Sequence, residues 1–277
     1  MKEMTIKEVQ QVSLEILKDV HEFCVKNNIK YSLSGGTLLG AIRHNGFIPW
    51  DDDIDIQMTR PEYEKFIHSY KSAHGYKLFS REIDGGENVG IAFSRVCEMK
   101  LTSVEFGSNM ALWTPERTGL WIDIFPIDGA PETRELAKKK IAKMYFGYRL
   151  ISIYRTRIGL TFKKSDNFLL KTKVVVKRFL TKFLPNDFVI RYIMKSQEYK
   201  YENSKYLANY STMHYKMKEW QPKESMSNYI FHKFEDGEFM IMEGYKISLS
   251  SLYGDYMTLP PIEQQKPIHE SYSFYWR

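Results

Sequence analysis

Residues 50–58, WDDDIDIQM, crowd four carboxylates, Asp51, Asp52, Asp53 and Asp55, into five positions and interleave them with Ile54, Ile56 and Met58. On a strand, alternate residues share a face, so Asp53 and Asp55 point one way while Ile54 and Ile56 point to a core. Asp51 joins the aspartate face if the strand begins that early. Two carboxylates ~5 Å apart repel by about 3 kcal/mol at an effective dielectric of ~20, so a rigid strand keeps such a pair where something cationic sits between them. Hard oxygen donors of this kind select Mg2+, which takes one or two carboxylates plus waters and substrate phosphates. A solvated acidic loop, or aspartates capping a helix, are the other readings of the run. The alternating apolar residues favour a half-buried strand.

Two further stretches bear on the same chemistry. WIDIF, residues 121–125, sets Asp123 alone in an apolar strand. A buried aspartate needs a partner or a cation. It is read as a third ligand to the metal of Asp53 and Asp55, or as a hydrogen-bond acceptor or ion-pair partner. Asp128, in the following Pro-Ile-Asp-Gly, is read as a turn former. Gly35-Gly36-Thr37 ends a short strand and opens a helix, where backbone amides and the helix N-terminus can hold phosphate oxygens. Arg43 and His44 follow that helix and can reach the same phosphates, or Arg43 can pair with an aspartate.

The pattern along the chain predicts an α+β (mixed α/β) fold. Thr5 and Glu8 form a capping box for a helix over 5–28, and helices are predicted over 37–43 and 61–72. Strands are predicted over 30–33, 53–58, 76–80, 90–98, 101–106 and 119–125, with Gly85-Gly86 as a turn. These make a catalytic core over 1–130. Residues 131–235 read as a helical, basic insert, with a helix over 187–203. Residues 236–277 read as a segment returning to the core, with a strand over 238–246 and a helix over 248–257.

Charge is segregated. Residues 131–183 hold 15 Lys and Arg against 3 Asp and Glu, a net of +12, whereas the remainder holds 25 against 31, a net of −6. Such a block reads as a solvated helix face or as contact with an anionic membrane surface. No nucleic-acid module accompanies it, so nucleic acid is not expected as a partner. Two cysteines, Cys24 and Cys97, are too few for a disulfide framework and fit a reducing compartment. With no apolar leader at the N-terminus and no run of ~20 uncharged apolar residues, the expected location is cytoplasmic, peripheral on the inner face of the membrane if the basic helices bind lipid.

The string GGTLLGAIRHNGFIPWDDDIDI, together with WIDIFPIDG and the tail LYGDYMTLPP followed by His269, resembles the LicD family of the nucleotidyltransferase superfamily, to which fukutin-related proteins are similar. The resemblance implies a nucleotidyltransferase-like mixed sheet flanked by helices. It also implies Mg2+-dependent transfer of phosphocholine from CDP-choline to a sugar hydroxyl of a cell-surface glycan precursor, of teichoic acid or lipopolysaccharide type. The acceptor is expected to be lipid-linked. Asp53, Asp55 and Asp123 are the expected metal-binding and catalytic carboxylates. Gly35, Gly36, Thr37, Arg43, Asp51 and Tyr253 are the expected substrate contacts. A quaternary ammonium has no hydrogen to donate and must be held by aromatic faces; Trp50, Trp113, Trp121, Tyr253 and Tyr256 are candidates. The alternatives are transfer of another CDP-linked phosphopolyol, a nucleotidyltransferase moving NMP onto a small molecule, and a binding module that transfers nothing.

Overall fold

The computed structural model describes residues 1–83, 91–106, 118–155, 199–212, 215–267 and 272–277, together with Thr172, Val176 and Phe179. Helix α1 (Ile6–Lys26) starts where its capping box requires. The Thr5 hydroxyl accepts from the Glu8 amide at 3.3 Å, and Glu8 accepts from the Thr5 amide at 2.7 Å. Two amides that have no partner within a helix are satisfied in this way. The apolar stripe of α1, with Ile16, Leu17, Val20 and Cys24 fully buried, lies on the central sheet.

That sheet is organised by β7 (Trp121–Ala130), whose only residue not fully buried is Asp123. On one side β7 pairs in parallel with β3 (Asp55–Thr59). On the other it pairs antiparallel with β5 (Ser94–Cys97) along Trp121–Ile124, and then with β8 (Tyr206–Asn209) along Ile127–Ala130. The sheet is completed by β2 (Ser32–Leu33) beside β3, β4 (Lys77–Phe79) beside β5, and β9 (Gln221–Pro222) beside β8. A second sheet joins the two ends of the chain, with β12 (Tyr272–Trp276) between β1 (Lys2–Glu3) and β6 (Thr102–Phe106). A hairpin, β10 (Tyr229–Phe234) and β11 (Gly237–Met242), packs beside β2. Helices α2 (Gly35–His44), α3 (Arg60–Ser69), α4 (Arg134–Arg155) and α5 (Tyr245–Tyr253) complete the described elements, with mixed sheets and flanking helices as the α+β reading expects. No helix among the described residues is long and apolar enough to cross a membrane.

Two expectations are corrected. Asp128 is not in a turn, because β7 continues through Phe125-Pro126-Ile127-Asp128. Pro126 is tolerated in mid-strand because β5 pairs only as far as Ile124 and β8 begins at Ile127, so the missing amide falls at the handover between two neighbours. Residues 206–234, read as a loop-rich stretch at the end of the basic insert, form β8, β9, β10 and 3-10 turns. Gly85-Gly86, Trp113, His269 and nearly all of 156–198 lie outside the described residues.

Asp128 is instead the buried half of an ion pair. Arg60, the first residue of α3, donates Nε and Nη2 to its two carboxylate oxygens at 2.7 and 2.9 Å. Burial weakens the Arg60 charge, but the bonds to Asp128 outweigh it and raise the guanidinium above its usual range. The pair fixes α3 to β7 directly after β3 ends. Removing one partner leaves a buried charge uncompensated, so Arg60→Met is expected to destabilise the fold by about 3 kcal/mol in urea titrations.

Candidate active site

The parallel register sets Asp55 opposite Asp123. Register partners on adjacent strands share a face, so both carboxylates rise from the same side of the sheet. The antiparallel register on the other flank sets Arg95 opposite Asp123 as well. The Arg95 guanidinium donates Nε and Nη2 to the Asp123 oxygens at 2.5 and 3.1 Å. It lies 4.2 Å over the Trp121 ring, which backs it from the core. Asp123 is therefore an ion-pair partner, and each of its oxygens keeps a second lone pair for another contact.

The segment before β3 adds three carboxylates. Asp51, Asp52 and Asp53 bring ligand oxygens within 4.8 Å of one another. The Gln10 amide from α1 donates to the backbone carbonyls of Asp51 at 2.8 Å and Ile48 at 3.5 Å, tying this acidic loop to the helix. Asp55 is fixed through its backbone. Its amide donates to the Thr37 hydroxyl at 2.9 Å, and its carbonyl accepts from the Ser34 amide at 2.9 Å.

Helix α2 opens against these acids with no side chain capping its N-terminus. Gly35 has φ +52, a left-handed value that costs a side chain. A Cβ on Gly36 would lie 2.6 Å from Asp51 Oδ2. The glycine pair thus lets the acidic loop approach the start of the helix.

Together these groups form one wall of a cavity of about 910 Å³. Gly35, Gly36, Asp51, Asp53, Asp55 and Asp123 all line it. The lining also includes Tyr215 and Glu219, just before and at the end of a 3-10 turn at Lys216–Glu219, with Tyr253 at the end of α5 and the loop from Asp255 to Pro261; the Tyr253 hydroxyl stands 3.9 Å from where a Cβ on Gly35 would lie. Arg43 crosses the mouth, donating Nη1 to the carbonyls of Tyr256 at 3.0 Å and Thr258 at 3.4 Å. The Tyr215 and Tyr253 hydroxyls are 2.9 Å apart.

The electrostatics follow from burial and crowding. Burial first, then the charges of Asp53, Asp123 and Asp51, push the Asp55 carboxyl well above the usual range, with Arg95 pulling it back. A cation among these oxygens would reverse that shift. The donor set, carboxylates only, is the chemistry that suits a hard divalent ion such as Mg2+. Elsewhere in the lining, burial alone pushes Glu219 up to about 8. Burial raises Tyr215 to about 12, and burial with the neighbouring Tyr215 raises Tyr253 well above its usual value.

Several sequence expectations meet here, and others do not. Trp50 and Tyr256 line the cavity with the carboxylates and glycines. Thr37 does not. Its side chain is buried beneath β3, and its hydroxyl is engaged with the Asp55 amide, so it positions an acid and is not a phosphate contact. Trp121 is buried behind Arg95 and forms no part of the lining. Arg95, Tyr215 and Glu219 were not anticipated. Tyr215 and Glu219 stand in a lysine-rich stretch, YKMKEW, that carries no motif. The folded Glu219 carboxyl holds its proton up to about pH 8, whereas the unfolded one loses it near 4.5. Its ionisation therefore costs stability increasingly as pH rises between those values. Glu219→Gln is expected to raise the melting temperature at pH 8 and to leave it nearly unchanged at pH 5, in parallel thermal melts.

Comparison with known proteins bears on the same residues. The family model described as LicD/FKTN/FKRP, nucleotidyltransferase domain, matches residues 28–151, which contain every carboxylate of the acidic wall. A lipopolysaccharide cholinephosphotransferase, LicD, of Haemophilus influenzae is 34% identical over 284 aligned residues, covering 97% of each chain. Uncharacterized proteins of Rickettsia typhi and Rickettsia prowazekii are 41% identical over 86 residues and 40% over 74. Those two alignments cover 30% and 23% of this chain, and 28% of each relative.

Proposed function

The chain belongs to the LicD family, and from that premise we propose that it transfers phosphocholine from CDP-choline to a sugar hydroxyl of a cell-surface glycan precursor, with Mg2+. The observation that carries this reading is the convergence of Asp51, Asp53, Asp55 and Asp123 with Gly35 and Gly36 on one cavity. The Haemophilus relative's name supports the phosphocholine group and favours a lipopolysaccharide-type acceptor over a teichoic acid.

In this reading the acceptor oxygen attacks the phosphorus next to choline, in line with the leaving CMP oxygen. One phosphorus–oxygen bond forms as the bond to CMP breaks, and the proton of the attacking hydroxyl would pass to Asp123 or to solvent. Asp53 and Asp55 would hold the metal, and Asp123 would complete its carboxylate set. Mg2+ so held would neutralise the diphosphate and stabilise the developing charge on CMP. Arg95 orients Asp123 through both oxygens. The glycine pair and the start of α2 let backbone amides approach the phosphates. Arg43 ties the Tyr256–Thr258 loop to α2 at the cavity lining. The basic stretch over 131–183 supports docking on the anionic membrane surface from which a lipid-linked acceptor would be presented.

Asp53→Asn and Asp55→Asn are each expected to lower CMP release by at least about 100-fold, the scale of losing one transition-state electrostatic contact. Asp55→Asn should keep or raise the melting temperature, because it removes a crowded charge. The assay is CMP release from CDP-choline by the full chain with Mg2+ and a glycan acceptor. Excess EDTA should abolish it. Release of pyrophosphate from a nucleoside triphosphate, with none of CMP, would replace this reading by nucleotidyl transfer.

A further inference from the structure

The cavity lining has a carboxylate that the chemistry above does not use. Among the described residues Glu219 forms no ion pair and its carboxylate accepts no hydrogen bond, yet it lines the cavity. Its position is fixed by both neighbours. Lys218 Nζ donates to the Leu252 carbonyl at 2.8 Å, and Ser251 Oγ donates to the Lys218 carbonyl at 2.7 Å, so the turn is clamped to α5. On the other side, the Trp220 indole donates to the Pro131 carbonyl at 3.0 Å, and its ring stacks on Tyr206 at 4.1 Å. A carboxyl group held this firmly beside a ligand cavity, with no cation from the protein to keep it ionised, is suited to give up its proton when the ligand brings a cation.

The neighbouring rings narrow the choice of cation. Tyr215 and Tyr253 meet edge to face, with centroids 5.6 Å apart, and their hydroxyls bond to each other. Tyr215 lies close enough to Asp55 and Glu219 for its hydroxyl to feel both charges. A primary ammonium would need oxygen acceptors for three N–H groups. Glu219 and the two rings between them present one carboxylate and aromatic surface, a combination that suits a cation with no hydrogen to donate.

We propose that Glu219, with the Tyr215–Tyr253 pair, forms the subsite for a quaternary ammonium head group, in the same cavity as the carboxylates that would hold the metal for the diphosphate. This rests on the transferase reading and adds to it where the head group is recognised.

Isothermal titration of the full chain with Mg2+ tests it, using CDP-choline, CDP and choline chloride as separate probes. Glu219→Gln is expected to weaken CDP-choline by about tenfold or more, the loss of a charge contact to a partly desolvated cation, and CDP by less than twofold. Glu219→Asp, which keeps the charge, should recover part of the affinity. The amide variant removes no bond among the described residues, so it should fold. Equal weakening of both nucleotides, or none, overturns the subsite. So does a loss of turnover with CDP-choline affinity unchanged, which would make Glu219 a base for the acceptor. If neither nucleotide binds but choline does, and Glu219→Gln abolishes it, the donor assignment fails and the subsite stands. If no probe binds the wild type, both fall.

Discussion

Pairing β3 with β7 in parallel sets Asp55 level with Asp123, and two carboxylates on neighbouring strands cannot both stay charged without compensation. At a separation near 5 Å the repulsion is about 3 kcal/mol even with an effective dielectric of ~20. The protein answers from one flank only. Arg95 on β5 grips Asp123 through both oxygens. Asp55 faces the acidic loop instead, and its raised proton affinity shows that compensation there is incomplete. An imbalance fixed by sheet register cannot relax by moving a side chain. It is relieved only by a proton or, in the proposed reading, by a metal ion.

The surrounding structure holds that arrangement in place. Both backbone groups of Asp55 are bonded to the β2–α2 connection, through Thr37 and Ser34. Gln10 reaches from α1 to the loop that carries Asp51. Gly36 leaves the space in which Asp51 sits. Each hydrogen bond contributes only about 1 kcal/mol, so their combined effect on stability is modest. Their effect on geometry is larger, because they come from three elements and define one position for each acid.

The acidic wall was legible in the sequence because it is built from strands with period-2 alternation. Ile54, Ile56, Ile122 and Ile124 announce which faces are buried, and the intervening aspartates follow. The glycine pair was legible for the same reason, since a strand end followed by a helix start needs few residues to recognise. Arg95 was not, because an ion pair 28 residues apart leaves no local pattern. Asp128 was misread because Phe-Pro-Ile-Asp-Gly has turn composition, and only the change of neighbour from β5 to β8 at Pro126 lets the strand continue. Thr37 was correctly placed at the helix start, but its hydroxyl direction depends on β3 lying above it. Glu219 was invisible for a different reason: in YKMKEW it reads as one more solvated charge, and only burial against the cavity distinguishes it.

The acids and the Tyr215, Glu219 and Tyr253 group come from different parts of the chain. Residues 28–151, which the family model matches, contain the glycine pair, Arg95, Asp51, Asp53, Asp55 and Asp123 but not Tyr215, Glu219 or Tyr253, whereas the alignment with the Haemophilus relative spans 97% of the chain. A group transferred at the acidic wall still has to be told apart from others of similar charge, and the acids cannot do this, because every diphosphate donor presents them with the same oxygens. In the proposed reading, discrimination between head groups falls to the rest of the lining, where Glu219 stands. There the 3-10 turn at Lys216–Glu219 is tied to α5 by hydrogen bonds independent of the central sheet. Substitutions on that turn can change which cation is accepted while leaving the register of Asp55 and Asp123 untouched.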